Sequence, residues 1–303
     1  QRVVENAKIT DDRVADKEPS LARRPDGSLL VWSRQDPDKS ALNGRDVYAA
    51  TASEGLSFDA PTPVTDDEVA DYAPAVATAG NETVAAFTTI DRTFDPANVS
   101  EPADLYPYGE IRTARTTGEG WTPPTALTDD DDFDYDPVVT ASDGGWTIAW
   151  TSDADLNLST WRDRSVEYVR YENGSYGRIR SIERARAPKL ARGPSGVRLA
   201  VLRMEGGAAT GNITVHSLAD ETRITGTPVD GFRALAAAGD TVAVATRGTD
   251  AWVTVIRNGT TRRLSAPGGA AIPQSVGLAA RDDRTLLTAR ASTPGSRVSR
   301  AYY

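Results

Sequence analysis

Short apolar runs recur along the whole chain, none at helical spacing, and they group into a unit of four segments repeated from end to end. The opening segments are Pro19–Ala22, Pro74–Ala77, Pro137–Thr140 and Pro188–Ala191, with looser copies at Ala234–Ala236 and Val276–Ala279. Second segments follow at Leu29–Trp32, Val84–Phe87, Thr147–Trp150, Leu199–Leu202, Val242–Ala245 and Leu286–Thr288. Turns such as Pro25–Gly27, Asp143–Gly145 and Pro194–Gly196 lie between the first and second segments and supply residues for positive φ or side-chain capping, so each pair is expected to be a hairpin. Third segments are Asp46–Ala49, Glu110–Thr113, Val166–Val169, Ile213–Val215, Trp252–Val255 and Val298–Ala301. Fourth segments are Phe58–Val64, Trp121–Leu127, Tyr176–Ile182, Thr222–Thr225 and Arg262–Leu264. Proline recurs in the fourth segment, and because it cannot donate to a ladder it marks that strand as the outer edge.

The sixth copy ends after three segments, while Val4–Thr10 followed by Asp11 and Asp12 matches the fourth-segment endings before Asp66 and Asp129. This permutation predicts an all-β, six-bladed β-propeller of four-stranded antiparallel blades. An N-terminal strand over residues 3–10 would complete blade six. The expected organisation is one domain, 1–303, with blades at about 16–65, 71–128, 134–183, 186–226, 232–265 and 273–303.

The Pro25-Asp26-Gly27 turn, together with Ser53–Phe58 and Thr117–Trp121 between third and fourth strands, resembles the repeats of sialidase-like and TolB-like propellers. The Asp-box of sialidases is only echoed, with Glu54 or Glu119 at its central position. Neither the arginine triad nor the Tyr/Glu nucleophile pair of sialidases has matching positions, so the resemblance implies a fold rather than an activity.

Composition narrows the setting. There is no cysteine and one histidine, His216, which removes disulfides, thiolate catalysis and Cys-ligated metal, and makes His216 more a plain strand residue than a base. No apolar run approaches the roughly eighteen residues that cross a bilayer, so no membrane span is expected in this chain. The net charge of −9, with only four Lys among 34 basic residues, disfavours unselective nucleic-acid binding. Abundant Asp and scarce Lys resemble haloarchaeal surface proteins, in which salt screens acidic crowding.

Six of the eight asparagines stand in Asn-x-Ser/Thr: Asn81, Asn98, Asn157, Asn173, Asn212 and Asn258. Ser and Thr make up about a sixth of the chain, so chance would give fewer than two such sites. The pattern predicts an extracellular chain carrying N-linked glycans.

Long loops between second and third strands hold candidate partner-binding aromatics: Phe94, Tyr106 and Tyr108, with Trp161 in the third blade. Acidic residues gather at the blade entries, where Asp16, Asp71 and Asp134 each stand three residues before the strand-opening proline, a candidate set of hard oxygen ligands for Ca²⁺. Residues 1–150 carry a net −17 and residues 151–303 a net +8, with Arg178, Arg180 and Arg186 on the basic side as candidate contacts. Such a division suits docking on proteins or glycans of a cell surface, or on copies of the same chain. The sequence therefore favours a non-enzymatic interaction or adhesion module of a surface assembly, such as a filament, pilus or surface layer. A sialidase-like glycoside hydrolase or carbohydrate-binding propeller is the alternative, and a TolB-like periplasmic interaction protein is a third reading.

Overall fold

A computed structural model of the chain describes residues 8–53, 55, 57–118, 120–205, 211–246, 253–257, 260–264, 272–281, 284–292 and 299–302. It is all-β apart from two short 3-10 helices, Pro96–Asn98 and Pro102–Tyr108. The first sheet comprises β1 (Asp16–Arg24), β2 (Gly27–Gln35), β3 (Arg45–Ala52) and β4 (Thr62–Pro63). In the second are β5 (Ala70–Ala79), β6 (Glu82–Ile90), β7 (Gly109–Thr116) and β8 (Thr125–Ala126). The third has β9 (Phe133–Ser142), β10 (Gly145–Asp153), β11 (Arg164–Glu172) and β12 (Ser175–Tyr176), with the short β13 (Arg180–Glu183) after it. The fourth runs β14 (Ala185–Gly193), β15 (Gly196–Met204), β16 (Gly211–Ser217), β17 (Thr222–Val229). The fifth is β18 (Phe232–Ala238), β19 (Thr241–Thr246), β20 (Val253–Arg257) and β21 (Thr260–Leu264), and the sixth β22 (Ile272–Arg281), β23 (Arg284–Ser292) and β24 (Ser299–Tyr302).

Each of the six sheets is antiparallel with its strands in chain order; the first strand is an edge throughout, and the fourth is the opposite edge in the first five sheets. In the third sheet β13 also pairs with β11, and among the described residues the sixth sheet ends at its third strand. The fourth strands of the first two sheets are shorter than the apolar pattern suggests: Phe58–Val64 pairs as a strand only through Thr62 and Pro63, and Trp121–Leu127 only through Thr125 and Ala126; in the third sheet Tyr176–Ile182 is divided between β12 and β13. Pro63 lacks the amide that a longer ladder would need. The described part of the N-terminal segment, residues 8–10, is not strand; most of that segment, and Val298, lie outside the described residues, as does the expected closure onto blade six.

The chain divides into two compact units, residues 1–157 with 168–179, and residues 158–167 with 180–303. In unit one, β5 lies against β1 and β9, and in unit two β18 lies against β14 and β22, so first strands of successive sheets adjoin. Central strands are covered on both faces. β10 is buried at every position, and Trp146, Trp150, Phe87, Ile111 and Ile148 are among the largest fully buried side chains. Trp146 stacks on Tyr171 with ring centroids 4.2 Å apart. Unit two has its own core of Leu202, Met204, Ile213, Leu235 and Val244. Burial on both faces explains why second strands read as continuous apolar runs rather than alternating ones; each large side chain so buried contributes about 1.5–3 kcal/mol.

Proline in the first strand has a different meaning from proline in the fourth. Pairing with the second strand is interrupted between Lys17 and Ser20, Tyr72 and Ala75, and Arg186 and Lys189, and opposite β9 between Ala149 and Thr151. The residue just before each proline, Glu18, Ala73, Asp136 or Ala187, has φ between 48° and 56°. A left-handed non-glycine costs about 1–2 kcal/mol, and its fourfold recurrence identifies a β-bulge built into the repeat. The bulge separates the acid-bearing entry of the strand from its packed remainder. Glycine at the hairpin exit is required by packing as well as by the turn. A Cβ on Gly145 would sit 1.9 Å from the Tyr171 carbonyl oxygen, and one on Gly27, whose φ is 145°, would sit 2.0 Å from that of Ala52.

Candidate functional site

The sheet entries of unit one share a motif, Thr-Asp-Asp-x-x-x-Asp, at residues 10–16, 65–71 and 128–134. Its second Asp makes the same turn each time, its carboxylate accepting from the amide two residues on: Val14 to Asp12 at 3.0 Å, Val69 to Asp67 at 3.0 Å, Asp132 to Asp130 at 2.9 Å. The Thr hydroxyl accepts from the third strand of the preceding sheet, Val47 N–H to Thr65 at 2.8 Å and Ile111 N–H to Thr128 at 2.9 Å. The last Asp starts the first strand and stands opposite the second: Asp16 opposite Arg34, Asp71 opposite Thr89, Asp134 opposite Ser152. A third-strand acid completes the group, Asp46 opposite Arg34 and Glu110 opposite Thr89.

Two carboxylate clusters result. Asp46, Asp67 and Asp71 each bring an oxygen within 4.8 Å of the others, and so do Glu110, Asp130 and Asp134. Asp71 is 1% exposed. Its Oδ1 accepts from the Thr89 hydroxyl at 2.5 Å; Oδ2 is buried without a hydrogen bond of regular geometry, the Thr65 hydroxyl being near enough to lower its pKa. Burial nevertheless pushes Asp71 up to about 7, Asp46 up to about 6 and Glu110 up to about 7. Thr128 donates to Glu110 Oε2 at 2.6 Å and the Asp130 amide to Oε1 at 3.2 Å, which counter that rise in part. The first cluster has a cation of its own: Lys39 Nζ lies 3.5 Å from Asp46 Oδ2 and 3.7 Å from Asp66 Oδ1, and donates to the Asp67 carbonyl at 2.6 Å. At the first sheet, the Arg34 guanidinium pairs with Asp12 and lies 3.3 Å from Asp16 Oδ1, which also accepts from Trp32 Nε1 at 2.9 Å. The hydrogen bond from Arg34 holds Asp12 below the usual carboxylate range.

The proposed Ca²⁺ ligands are thus placed apart: Asp71 and Asp134 belong to different clusters and Asp16 to neither. The clusters offer hard oxygen donors, and the groups pushed towards neutrality offer protons held near pH 7. Asp46, Asp67, Glu110, Asp130, Lys39 and Arg34 were not singled out as a group from the sequence; the three copies of the Thr-Asp-Asp motif are the signal that points to them.

Loop 91–108, between β6 and β7, is held by its own aromatics. Phe94 meets Tyr108 edge-on at 5.3 Å, Tyr106 stacks on Phe133 at 4.5 Å, and Arg92 lies over Tyr108 and donates to its hydroxyl at 2.9 Å. Asn43 clasps Phe94 twice, donating to its carbonyl at 2.7 Å and accepting from its amide at 2.8 Å. Phe94, Tyr106 and Tyr108 are half-buried, and Trp161 packs against the core of unit two beneath Arg162. Arg178 is exposed, Arg180 pairs with Glu221, and the Arg186 guanidinium covers the Phe232 ring. His216 lies in β16 within 3.1 Å of the Thr214 hydroxyl, and burial pushes it down, as do Arg223 and Arg203. Beside the first motif, Ile9, Thr10, Asp16, Lys17, Pro19, Leu30 and Trp32 line a largely apolar cavity of about 170 Å³.

No protein-family model and no curated protein matches this chain in sequence. Solved structures do match it in shape. Trypanosoma rangeli sialidase aligns over 92% of this chain and 53% of its own at a TM-score of 0.56 with 8% identity. The intramolecular trans-sialidase from Ruminococcus gnavus, solved with oseltamivir carboxylate, aligns over 91% of this chain and 90% of its own at a TM-score of 0.57 with 8% identity. The chain spans about half the length of the trypanosomal enzyme. At such identity the likeness is one of fold, and it makes this chain a β-propeller-like all-β protein of sialidase-like architecture.

Proposed function

We propose that the chain is an extracellular six-bladed β-propeller, a single domain, that binds glycans without hydrolysing them. The observation that carries this reading is the likeness over nine-tenths of the chain to Trypanosoma rangeli sialidase, solved in complex with sialic acid, and to the Ruminococcus gnavus intramolecular trans-sialidase, solved in complex with oseltamivir carboxylate. Binding is favoured over hydrolysis by the state of the carboxyl groups. Most glycosidases use two carboxyl groups flanking an open sugar site, and sialidases a tyrosine paired with a glutamate; either way an acid must reach the sugar. Here the acids whose protons are held near neutrality, Asp71 and Glu110, are buried and engaged by Thr89 and Thr128. Their work is to fasten strands.

The sialidase-like hydrolase is the competing reading, and the division of charge between the two halves of the chain supports a place in a cell-surface assembly. A glycan array probed with the folded chain, in dilute and in molar salt, paired with a fluorogenic sialoside assay, separates them. Retention of a defined set of glycans without turnover is expected. Turnover lost in Glu110→Gln would establish the hydrolase reading, and absence of any glycan bound would leave docking through protein surfaces.

A further inference from the structure

Five of the six Asn-x-Ser/Thr tripeptides lie among the described residues, and the fold divides them into two kinds; Asn258 is outside the described residues. At Asn98, Asn157 and Asn173 both the asparagine and its hydroxyl residue, Ser100, Ser159 or Ser175, are exposed. Asn98 ends the 3-10 helix Pro96–Asn98. Asn157 lies in the loop from β10 to β11, its amide donating to Asp155 at 2.9 Å, and Asn173, with φ 53°, makes the turn from β11 to β12. The other two are different. Asn81 is exposed on the β5–β6 turn, but Thr83 is 1% exposed, inside β6, with its hydroxyl 2.9 Å from that of Thr78. Asn212 sits in β16 between Arg203 on β15 and Pro228 on β17, and Thr214 is fully buried.

Sequence spacing alone treats all of these sites as equal. A glycosyl transferase must hold the entire tripeptide, asparagine amide and hydroxyl together, so a hydroxyl locked inside a paired strand disqualifies a folded site. We propose that Asn98, Asn157 and Asn173 carry N-linked glycans and that Asn81 and Asn212 do not, the native fold making the selection. The inference rests on the extracellular reading above. The donor is an oligosaccharide joined through phosphate to a polyprenyl lipid. The side-chain nitrogen forms a bond to the anomeric carbon as the carbon–oxygen bond to phosphate breaks. The lipid phosphate leaves with that electron pair, and a base of the transferase takes the amide proton. Two of the three acceptors, Asn98 and Asn157, lie on second-to-third-strand loops, and Asn98 shares its loop with Phe94 and Tyr108.

The test is site-by-site glycopeptide mapping and intact mass of the chain purified from its native source. Sugar on Asn98, Asn157 and Asn173, with Asn81 and Asn212 bare, is expected. Ser175→Ala should then remove one glycan increment and leave the thermal midpoint within a degree or two. Occupancy at Asn81 or Asn212 equal to that of the other three would overturn selection by the fold. The same preparation reports whether the chain leaves the cell. Exported chain that is bare at all three sites overturns this inference alone, whereas chain retained inside the cell and bare overturns the extracellular reading together with it.

Discussion

The Thr89 hydroxyl donates a hydrogen bond to Asp71 Oδ1 across the β5–β6 pair at 2.5 Å, in a site from which water is almost wholly excluded. The bond lowers the cost of burying the acid without cancelling it, and Asp71 keeps its proton up to about pH 7. Glu110 does the same one strand away, again with a threonine as donor.

Stability should therefore fall as pH rises. Asp71, Asp46 and Glu110 have folded pKa values above their unfolded ones, so between about pH 4 and 7 the folded chain binds more protons than the unfolded chain. Their favourable contribution is complete below the unfolded pKa and is lost as pH rises through 6–7. Urea titrations are expected to show a loss of up to roughly 2–3 kcal/mol for each of the groups near 7 between pH 5 and 8. Asp71→Asn, which retains an acceptor for Thr89, should flatten that dependence and raise stability at pH 8.

Lys39 is the counter-charge of the first cluster, so Lys39→Met should act in a pH-dependent way. Removing one partner of a buried pair exposes the other to its full desolvation penalty. A loss of about 1–3 kcal/mol at pH 8 that shrinks at pH 5, where Asp46 is protonated, is the outcome to be read from paired denaturation curves.

Asn43 joins the loop after β2 to the loop after β6 by two hydrogen bonds to Phe94. Asn43→Ala should cost about 1–2 kcal/mol and speed limited proteolysis within residues 91–108, leaving the protection of β6 and β7 unchanged. Cleavage mapped by mass spectrometry checks it.

Gly145→Ala places a methyl group against the Tyr171 carbonyl, where backbone and not a flexible side chain must yield. A destabilisation of roughly 1–3 kcal/mol is expected from overpacking, against about 3–5 kcal/mol for Trp150→Ala, which opens a cavity in the fully buried β10. Guanidinium melts of the two variants rank these effects.

The repeat was legible because each copy states its strands locally: Leu29–Trp32 and Thr147–Trp150 became the buried centres of β2 and β10, and the hairpin glycines fell where the turns are. The proline of the first strand predicts where the strand opens but not the bulge it marks, because the left-handed residue before it changes type from copy to copy, Glu18, Ala73, Asp136 and Ala187. For the candidate partner-binding residues Phe94, Tyr106 and Tyr108 the sequence gives the loop but not its packing: Phe94 meets Tyr108 within the loop, and Tyr106 stacks on Phe133 of β9, a contact between distant segments that leaves no local mark.

Strand order, the all-β class and the edge position of the fourth strand follow from apolar period, turn chemistry and proline alone, because these act over a few neighbouring residues. What an acid does here was decided by tertiary structure. Asp12, Asp67 and Asp130 are the same letter in the same motif, as are Asp16, Asp71 and Asp134. Arg34 pairs with the first of each set, Lys39 and Asp46 stand beside Asp67 and Asp71, and Glu110, held by Thr128, stands beside Asp130 and Asp134, so charge and proton affinity are set by partners brought from other strands and by the water excluded when sheets pack.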